Sequence, residues 1–140
     1  KLRSTSLDEL PELFNIFIGN MTIVGPRPHL VKDLVFMSED VKKRHLVRSG
    51  LTGLAQVNGR NNLTWEEKFE YDLKYIQKIS LFEDIKIIVM TVGKVLKKSD
   101  VSRDGMETDI DYGDWLLNKG EITKEEYDQK QEIAKSLLKD

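Results

Sequence analysis

The stretch that decides the fold is "TWEEKFEYDLKYIQKISLFEDIKIIVMTVGKVLKK", residues 64–98. Thr64 and Glu67 form a capping box, in which the hydroxyl and the carboxylate each satisfy a free backbone N–H at the start of a helix. The apolar residues that follow recur at helical spacing: Trp65, Phe69, Leu73 and Ile76. The second half, residues 80–98, is rich in Ile and Val, which leaves a strand open, but its length and closing lysines favour another helix.

The stretch "SLDELPELF", residues 6–14, predicts an earlier helix. Ser6 and Glu9 form another capping box, so the helix is expected to begin near Leu7. Its apolar face consists of Leu10, Leu13, Phe14 and Phe17. Gly19 and Asn20 tolerate a left-handed backbone and are expected to end the helix.

Between these helices, "MTIVGPRPH" at residues 21–29 predicts a short strand followed by a stiff loop. Each proline fixes its own φ and pushes the preceding residue towards extended geometry. Arg27 stands between the two prolines and is therefore presented on a stiff loop. A bidentate phosphate contact needs such preorganisation, whereas a solvated surface arginine gains nothing from it, and both interpretations stay open.

Residues 48–62, "RSGLTGLAQVNGRNN", are rich in glycine and turn residues. We interpret "LAQV" as a short strand and the glycines as places where the backbone approaches a ligand closely. Arg60 follows a glycine within this stretch, and Arg3 lies just before the acidic pair Asp8 and Glu9.

The last part of the chain changes in composition. Residues 99–140 contain twelve Asp and Glu against six Lys and Arg, whereas residues 1–60 contain six against nine. Two helices joined at Gly120 are expected there, the second capped by Thr123 and Glu126. We divide the chain into a catalytic region at 1–98 and an acidic helical appendage at 99–140, read as a solvated helical pair.

Composition excludes several classes of function. The chain has no cysteine, so disulfides, thiolate zinc sites and cysteine nucleophiles are excluded. The mildly basic N-terminal part, residues 1–60, carries too little positive charge for a nucleic-acid-binding surface. The longest apolar stretch, residues 85–96, contains two lysines and is too short for roughly 30 Å of hydrocarbon.

The acidic pair has two readings. Glu9 is explained by the capping box, and Asp8 could be a second acid favoured by the helix dipole. Alternatively, the helix terminus and nearby arginines keep Asp8 ionised as a nucleophile, with Glu9 holding a divalent cation or assisting proton transfer. His29 and His45 have no metal-ligand spacing and are interpreted as structural or surface residues.

Taken in order, these motifs over residues 2–98 resemble the bacterial sugar transferase family, the monotopic phosphoglycosyl transferases that begin glycan assembly on polyprenyl phosphate. The resemblance implies that Asp8 attacks the β-phosphorus of a UDP-sugar, with Glu9 beside it near Mg2+ and both carboxylates as metal ligands. It also implies that Arg3, Arg27 and Arg60 line the phosphate site. The fold class expected is α+β and helix-rich, with amphipathic helices and a few short strands around a loop-built phosphate site.

The implied reaction transfers sugar-1-phosphate to polyprenyl (undecaprenyl) phosphate and releases UMP through a covalent aspartyl intermediate. The implied place is the cytoplasmic face of the bacterial inner membrane, with peripheral or monotopic attachment. One apolar face, on residues 65–76 or on residues 81–88, could lie on the membrane interface. The sequence leaves the sugar, the polyprenol length and the oligomeric state open, a homo-oligomer being one option.

The chain begins without methionine and runs directly into motif-like sequence, so we expect a fragment of a longer protein. The family normally starts with a membrane-inserted hairpin and a basic segment upstream of these motifs, and activity of the fragment alone is an open question. The rival interpretation is a non-catalytic helical interaction module that acts through its acidic tail and gives the arginines no role.

Overall fold

The computed structural model describes residues 10–59, 62–97 and 110–139. Two three-residue strands, β1 and β2, pair in parallel, with Thr22 opposite Gly50 and Val24 opposite Thr52. A 3₁₀ segment, Lys43–Leu46, follows the third helix. The described helices are α1 Leu10–Phe17, α2 Val31–Leu34, α3 Glu39–Lys42, α4 Leu54–Asn58, α5 Trp65–Gln77, α6 Leu81–Leu96, α7 Tyr112–Lys119 and α8 Lys124–Leu137, and the strands are β1 Thr22–Val24 and β2 Gly50–Thr52. The helix-rich α+β class is therefore confirmed.

Local capping signals place the long helices. Thr64 and Glu67 form a complete capping box at the start of α5, and Thr123 and Glu126 form another at the start of α8. Gly120 ends α7 with a φ of 77° in the left-handed region, which costs glycine nothing. These helix boundaries are confirmed, whereas the capping box of Ser6 and Glu9 lies outside the described residues.

The interpretation of "LAQV" as a strand is wrong. Residues 54–58 form α4, and the neighbouring strand β2 lies earlier, at Gly50–Thr52. The side chain of Asn58 donates to the carbonyl of Leu54 at 2.7 Å across one helical turn. A four-residue apolar run does not distinguish a strand from a helical turn, and here burial of Ala55 and Val57 is achieved in a helix.

Glycines let the two strands and the adjoining loop approach each other. A Cβ added at Gly50 would collide with the backbone of Gly25, and one added at Gly53 would collide with the carbonyl oxygen of Gly25. Gly25 itself would place a Cβ 2.6 Å from the carbonyl oxygen of Arg48. The close approach found at these glycines is therefore between chain segments, where we had expected a ligand.

The main core joins the middle of the chain to its acidic tail. It contains Phe36, Met37, Trp65, Phe69, Tyr112, Trp115 and Leu116. Asp33 of α2 is buried and accepts a hydrogen bond from the backbone N–H of Tyr112 at 3.0 Å, at the start of α7. The tail helices are therefore packed on one side against α2 and α5, and not solvated all round. The domain boundary at residue 98 stays a prediction.

A second, smaller core lies between β1, α4, α5 and α6 and contains Val24, Val57, Tyr75 and Ile87. Ile87 is the one residue of α6 that is fully buried. The buried face of α5 differs slightly from the predicted one. Its buried residues are Trp65, Phe69, Asp72 and Tyr75, whereas the predicted Leu73 and Ile76 are only partly buried.

The two candidate membrane faces have different environments. Trp65 and Phe69 of α5 belong to the main core, whereas the outer surface of α6 is exposed, with Phe82 at 78% and Leu81 at 77%. The predicted apolar face of α1 is also exposed, and none of its residues is buried. No helix within the described ranges is both long and apolar enough to cross a bilayer.

We expect Gly53→Ala to lower the free energy of unfolding by about 2 kcal/mol, since the added methyl group forces the backbones of residues 25 and 53 apart. Urea unfolding measures the effect. Gly93→Ala is the matched control, because a Cβ at Gly93 in α6 meets nothing within 4 Å. That substitution should leave stability unchanged or raise it by up to about 1 kcal/mol. Equal destabilisation by both would contradict the close packing inferred here.

Candidate functional site

The Pro-Arg-Pro segment forms a loop between β1 and α2. The backbone N–H of Gly25 donates to the carbonyl of Thr52 at 2.9 Å, and that of Gly50 donates to the carbonyl of Pro26 at 3.0 Å. The first bond extends the parallel pairing of β1 and β2, whereas the second ties the loop back to the start of β2. Pro26 is buried, while the side chain of Arg27 is exposed. The loop thus has a fixed base and directs an arginine outwards.

A buried arginine holds the loop from beneath. Arg44, in the 3₁₀ segment, is 1% exposed, and its Nη2 donates to the carbonyl oxygen of Arg27 at 2.8 Å. The same nitrogen forms an ion pair with Oδ2 of Asp72 in α5. The guanidinium also lies over the ring of Phe69, 5.5 Å from its centroid. Arg44 therefore connects three parts of the fold: the loop, the 3₁₀ segment and α5.

Both members of the ion pair are taken out of water. Burial raises the pKa of Asp72 to about 6, although the charge of Arg44 and its hydrogen bond act in the opposite direction. Burial likewise lowers the pKa of Arg44 from its ordinary value. At neutral pH the carboxyl is still ionised and the guanidinium still protonated, so the pair is a true ion pair with a desolvation cost.

His29 closes the loop against the aromatic core. Its ring centroid lies 5.1 Å from that of Trp65 and 6.1 Å from that of Phe69. Burial, and next the positive charge of Arg44, lower the pKa of His29 to about 3, with smaller contributions from Lys68, His45 and Arg27. His29 is therefore neutral at pH 7 and packs as an aromatic side chain, which agrees with the structural role expected of it.

A small cavity of about 90 Å³ lies between the loop and the 3₁₀ segment. Its walls are Pro26, Arg27, Pro28, His29, Arg44, His45, Val47 and Ser49. Two arginines reach the cavity and no carboxylate lines it within the part of the chain that the structure describes, although Asp72 offsets the charge of Arg44. Such an environment favours an anion over a cation.

Of the predicted site residues, Arg27 is the one that lies in the described ranges. Asp8, Glu9, Arg3 and Arg60 lie outside them, so their roles and their distances from Arg27 stay predictions. The proposed metal ligands are among these four. Within residues 10–59, 62–97 and 110–139, no group of three or more His, Asp or Glu side chains is placed to hold a metal ion. Paired carboxylates of the kind expected at residues 8 and 9 are the oxygen donors that Mg2+ prefers.

The sequence interpretation missed Arg44 and Asp72. A signal was present: Asp72 follows Phe69 by three residues and Trp65 by seven, so it occupies the apolar side of an amphipathic helix. A charged residue at such a position needs a buried partner, because an unpaired buried charge is strongly destabilising. The identity of that partner could not be read from the spacing, since Arg44 comes from a different element 28 residues away.

Residues 1–98 match the family model described as Bacterial sugar transferase, and the chain belongs to this family. It is 45% identical over 102 residues to the uncharacterized sugar transferase EpsL of Bacillus subtilis, covering 73% of this chain and 50% of the relative. It is 48% identical to the UDP-glucose:undecaprenyl-phosphate glucose-1-phosphate transferase of Klebsiella pneumoniae, over 66% of this chain and 22% of the relative. A third relative is the undecaprenyl-phosphate galactose phosphotransferase of Salmonella typhimurium, 40% identical over 69% of this chain and 20% of the relative. The chain thus spans half or less of the length of these relatives.

We expect acid to weaken the fold through His29. The unfolded histidine takes up a proton below about pH 6.5, whereas the folded one stays neutral down to about 3. Protonation therefore favours the unfolded state, and stability falls as the pH drops through this window. Between pH 7 and pH 5, the free energy of unfolding of His29→Phe, measured in urea, should fall by roughly 2 kcal/mol less than that of the wild type.

His45→Gln is the control for this measurement, because His45 is exposed and its substitution should change the pH dependence much less. The slope with pH is the readout, so a difference in stability at pH 7 does not affect the comparison. Identical slopes for His29→Phe and the wild type would show that His29 takes up its proton over the same pH range in the folded protein as in the unfolded one.

Proposed function

We propose that this chain is the catalytic region of an enzyme that transfers sugar-1-phosphate from a UDP-sugar to polyprenyl (undecaprenyl) phosphate and releases UMP. The observation that carries the proposal is the family match over residues 1–98, which includes the Pro-Arg-Pro loop. Relatives named for this type of transfer act on UDP-glucose or on galactose. The rigid base and outward arginine of the loop suit the binding of a diphosphate.

The reaction has two displacements at phosphorus. A carboxylate oxygen of Asp8 attacks the β-phosphorus of the UDP-sugar, the bond to the bridging oxygen breaks, and UMP leaves with the electron pair. A phosphate oxygen of the polyprenyl phosphate then attacks the aspartyl phosphosugar, which frees the carboxylate of Asp8 and gives polyprenyl-diphosphate sugar. Atoms and charges balance without an oxidant or a reductant.

A carboxylate nucleophile is repelled by an anionic diphosphate, so the site must neutralise charge before the attack. In this scheme Arg3, Arg27 and Arg60 bind and orient the phosphate oxygens, and the carboxylates of Asp8 and Glu9 would hold Mg2+. Bound Mg2+ supplies the remaining positive charge for the phosphates. Arg27 contributes a planar pair of N–H donors that matches two phosphate oxygens. Because its loop is already held in place, less conformational entropy is lost when Arg27 binds the phosphate.

We also propose that the enzyme works at the cytoplasmic face of the bacterial inner membrane, in the first membrane step of glycan assembly such as exopolysaccharide, capsule, O-antigen or glycoprotein synthesis. The product of this step carries one sugar on a lipid diphosphate. A polymer or glycan class is set by later glycosyl transfers, so it is not encoded in this site.

The outer face of α6 supports contact with the bilayer interface. Residues at successive turns are apolar and exposed, among them Leu81, Phe82, Ile85, Val89, Val92 and Leu96. Burying such a stripe at the boundary between headgroups and acyl chains removes it from water without spanning the bilayer. The lipid acceptor of the proposed reaction also has to be met at this boundary.

In the full-length protein we expect Asp8→Asn to reduce UMP release from UDP-sugars, with Mg2+ and polyprenyl phosphate present, by about a thousandfold or more, since the amide cannot act as the nucleophile. Peptide mapping of protein trapped with a panel of UDP-sugars should locate the adduct on Asp8, and the mass of the adduct identifies the sugar.

In the same assay, Arg27→Lys should lower kcat/KM about tenfold, because lysine keeps the charge but loses the bidentate contact.

Wild-type turnover of Asp8→Asn would refute the covalent mechanism. Absence of UMP release from every UDP-sugar tested would instead favour the non-catalytic interaction module. Arg48→Lys is a matched control for Arg27→Lys, because Arg48 is also an exposed arginine but stands in the segment before β2. It should leave kcat/KM close to that of the wild type.

We expect Phe82→Glu combined with Val89→Glu to weaken binding of the chain to vesicles of bacterial lipids, because charges on the apolar face of α6 oppose its insertion at the interface. Co-sedimentation measures the bound fraction. The control is Asn118→Glu with Gln129→Glu, which adds the same charge at exposed positions of α7 and α8. Equal losses for both double variants would mean that repulsion by anionic lipid, and not the apolar face, determines binding.

A further inference from the structure

We propose that Arg44 is a positioning residue for the proposed transferase: it fixes the orientation of the Pro-Arg-Pro loop and thereby aims Arg27 at the phosphates. This inference rests on the proposed function for its effect on catalysis, and on the geometry alone for its effect on the loop. Arg44 is buried and does not touch the substrate in this scheme.

The geometry places both strong interactions of Arg44 on one atom. Nη2 donates one N–H to the carbonyl oxygen of Arg27, at 2.8 Å, and the other to Asp72. Within the described part of the chain, Nε and Nη1 have no hydrogen-bond partner. The guanidinium is thus used as a bridge between a loop carbonyl and a helix carboxylate, rather than as a bidentate partner of Asp72.

The carbonyl of Arg27 is the group that most needs fixing. The rings of Pro26 and Pro28 fix their φ angles, so both the φ and the ψ of the segment are free only at Arg27. A hydrogen bond to the Arg27 carbonyl holds the peptide plane between Arg27 and Pro28. It therefore restricts the direction in which the Arg27 side chain leaves the loop.

Asp72 provides a rigid reference for this bond. It lies in the middle of α5, a 13-residue helix that begins at a complete capping box and packs through Trp65 and Phe69 into the main core. Asp72 orients the guanidinium, and the guanidinium orients the loop. Removing Asp72 alone would leave a buried charge without its partner, so single substitutions at this position mix stability with positioning.

The pair is better suited to orientation than to stability. Two buried ions lose their hydration, and replacing such a pair with apolar side chains of similar volume is often neutral or stabilising. Burial raises the pKa of Asp72 despite the adjacent guanidinium, which indicates that the desolvation cost is substantial. An apolar pair could fill the space but could not donate to the carbonyl of Arg27.

The test uses the full-length protein with Arg44→Met and Asp72→Leu together, which removes both charges and keeps much of the buried volume. We expect kcat/KM for UMP release to fall about ten- to a hundredfold, as for loss of a hydrogen bond from a charged donor, while the melting temperature stays within about 5 °C of the wild type. Lys119→Met with Glu66→Leu is the matched control, since it removes an exposed pair with N···O 3.0 Å apart that does not touch the loop.

A double-mutant cycle separates positioning from general damage. If Arg44 acts through Arg27, the double substitution should have little further effect on kcat/KM in an Arg27→Ala background, because no guanidinium is left to aim. Arg44→Lys should recover part of the activity, because one ammonium can donate to both oxygens that Nη2 now binds. A full, undiminished loss in the Arg27→Ala background would overturn the proposal.

Hydrogen exchange keeps this inference separate from the proposed reaction. The amides of Arg27, His29 and Leu30 should exchange several-fold faster in the double variant than in the wild type and in the Lys119/Glu66 control. This readout stands even if the protein releases no UMP, a result that would refute the proposed function alone.

If the variant Arg44→Met with Asp72→Leu does not fold, the same exchange measurement uses Arg44→Gln with Asp72→Asn, which keeps a neutral polar pair and a shorter side chain at residue 44. Unchanged loop exchange in the variant that folds would refute positioning by Arg44.

Discussion

The arrangement of the loop, the 3₁₀ segment and α5 depends on one buried guanidinium. Arg44 is 1% exposed and contacts the carbonyl of Arg27, the carboxylate of Asp72 and the ring of Phe69. Loss of either ionic partner would leave a bare charge in the interior, where it is strongly destabilising. The loop and α5 are therefore constrained to positions in which the guanidinium of Arg44 contacts both the carbonyl oxygen of Arg27 and the carboxylate of Asp72.

The acidic tail supports the same region from the opposite side. Asp33 receives the first N–H of α7, Lys32 pairs with Asp111 at 2.5 Å, and the indole of Trp65 donates to the carbonyl of Ile110 at 3.3 Å. These contacts hold α2, which follows the Pro-Arg-Pro loop directly, and the helix α5 that carries Asp72. The tail, which the sequence pattern separates as an appendage, contributes aromatic side chains to the core beneath the loop.

Local signals predicted the helices well and the tertiary partners poorly. Capping boxes such as Thr64 with Glu67 act within one turn, so they are legible in the sequence and were found in the structure. "LAQV" was misread because its length fits either a strand or one helical turn, and the close backbone contact of Gly53 with Gly25 is not visible in a local pattern. Arg27 was singled out from its two prolines, but the residue beneath it was not, since Arg44 and Asp72 meet only through packing. The predicted roles of Asp8, Glu9, Arg3 and Arg60 fall outside the described residues.

The contrasting environments of α5 and α6 follow from the partners available to each helix. Both have apolar residues at helical spacing, so periodicity alone gives them the same reading. The side chains of Trp65 and Phe69 pack against the ring of Tyr112, at centroid distances of 5.3 and 5.0 Å, and are buried in the main core. Helix α6 uses Ile87 for its contact with the second core, and its outer apolar surface has no such cover within the described residues. An apolar surface of this length is costly in water, and contact with a bilayer interface, as proposed above for α6, would remove that cost.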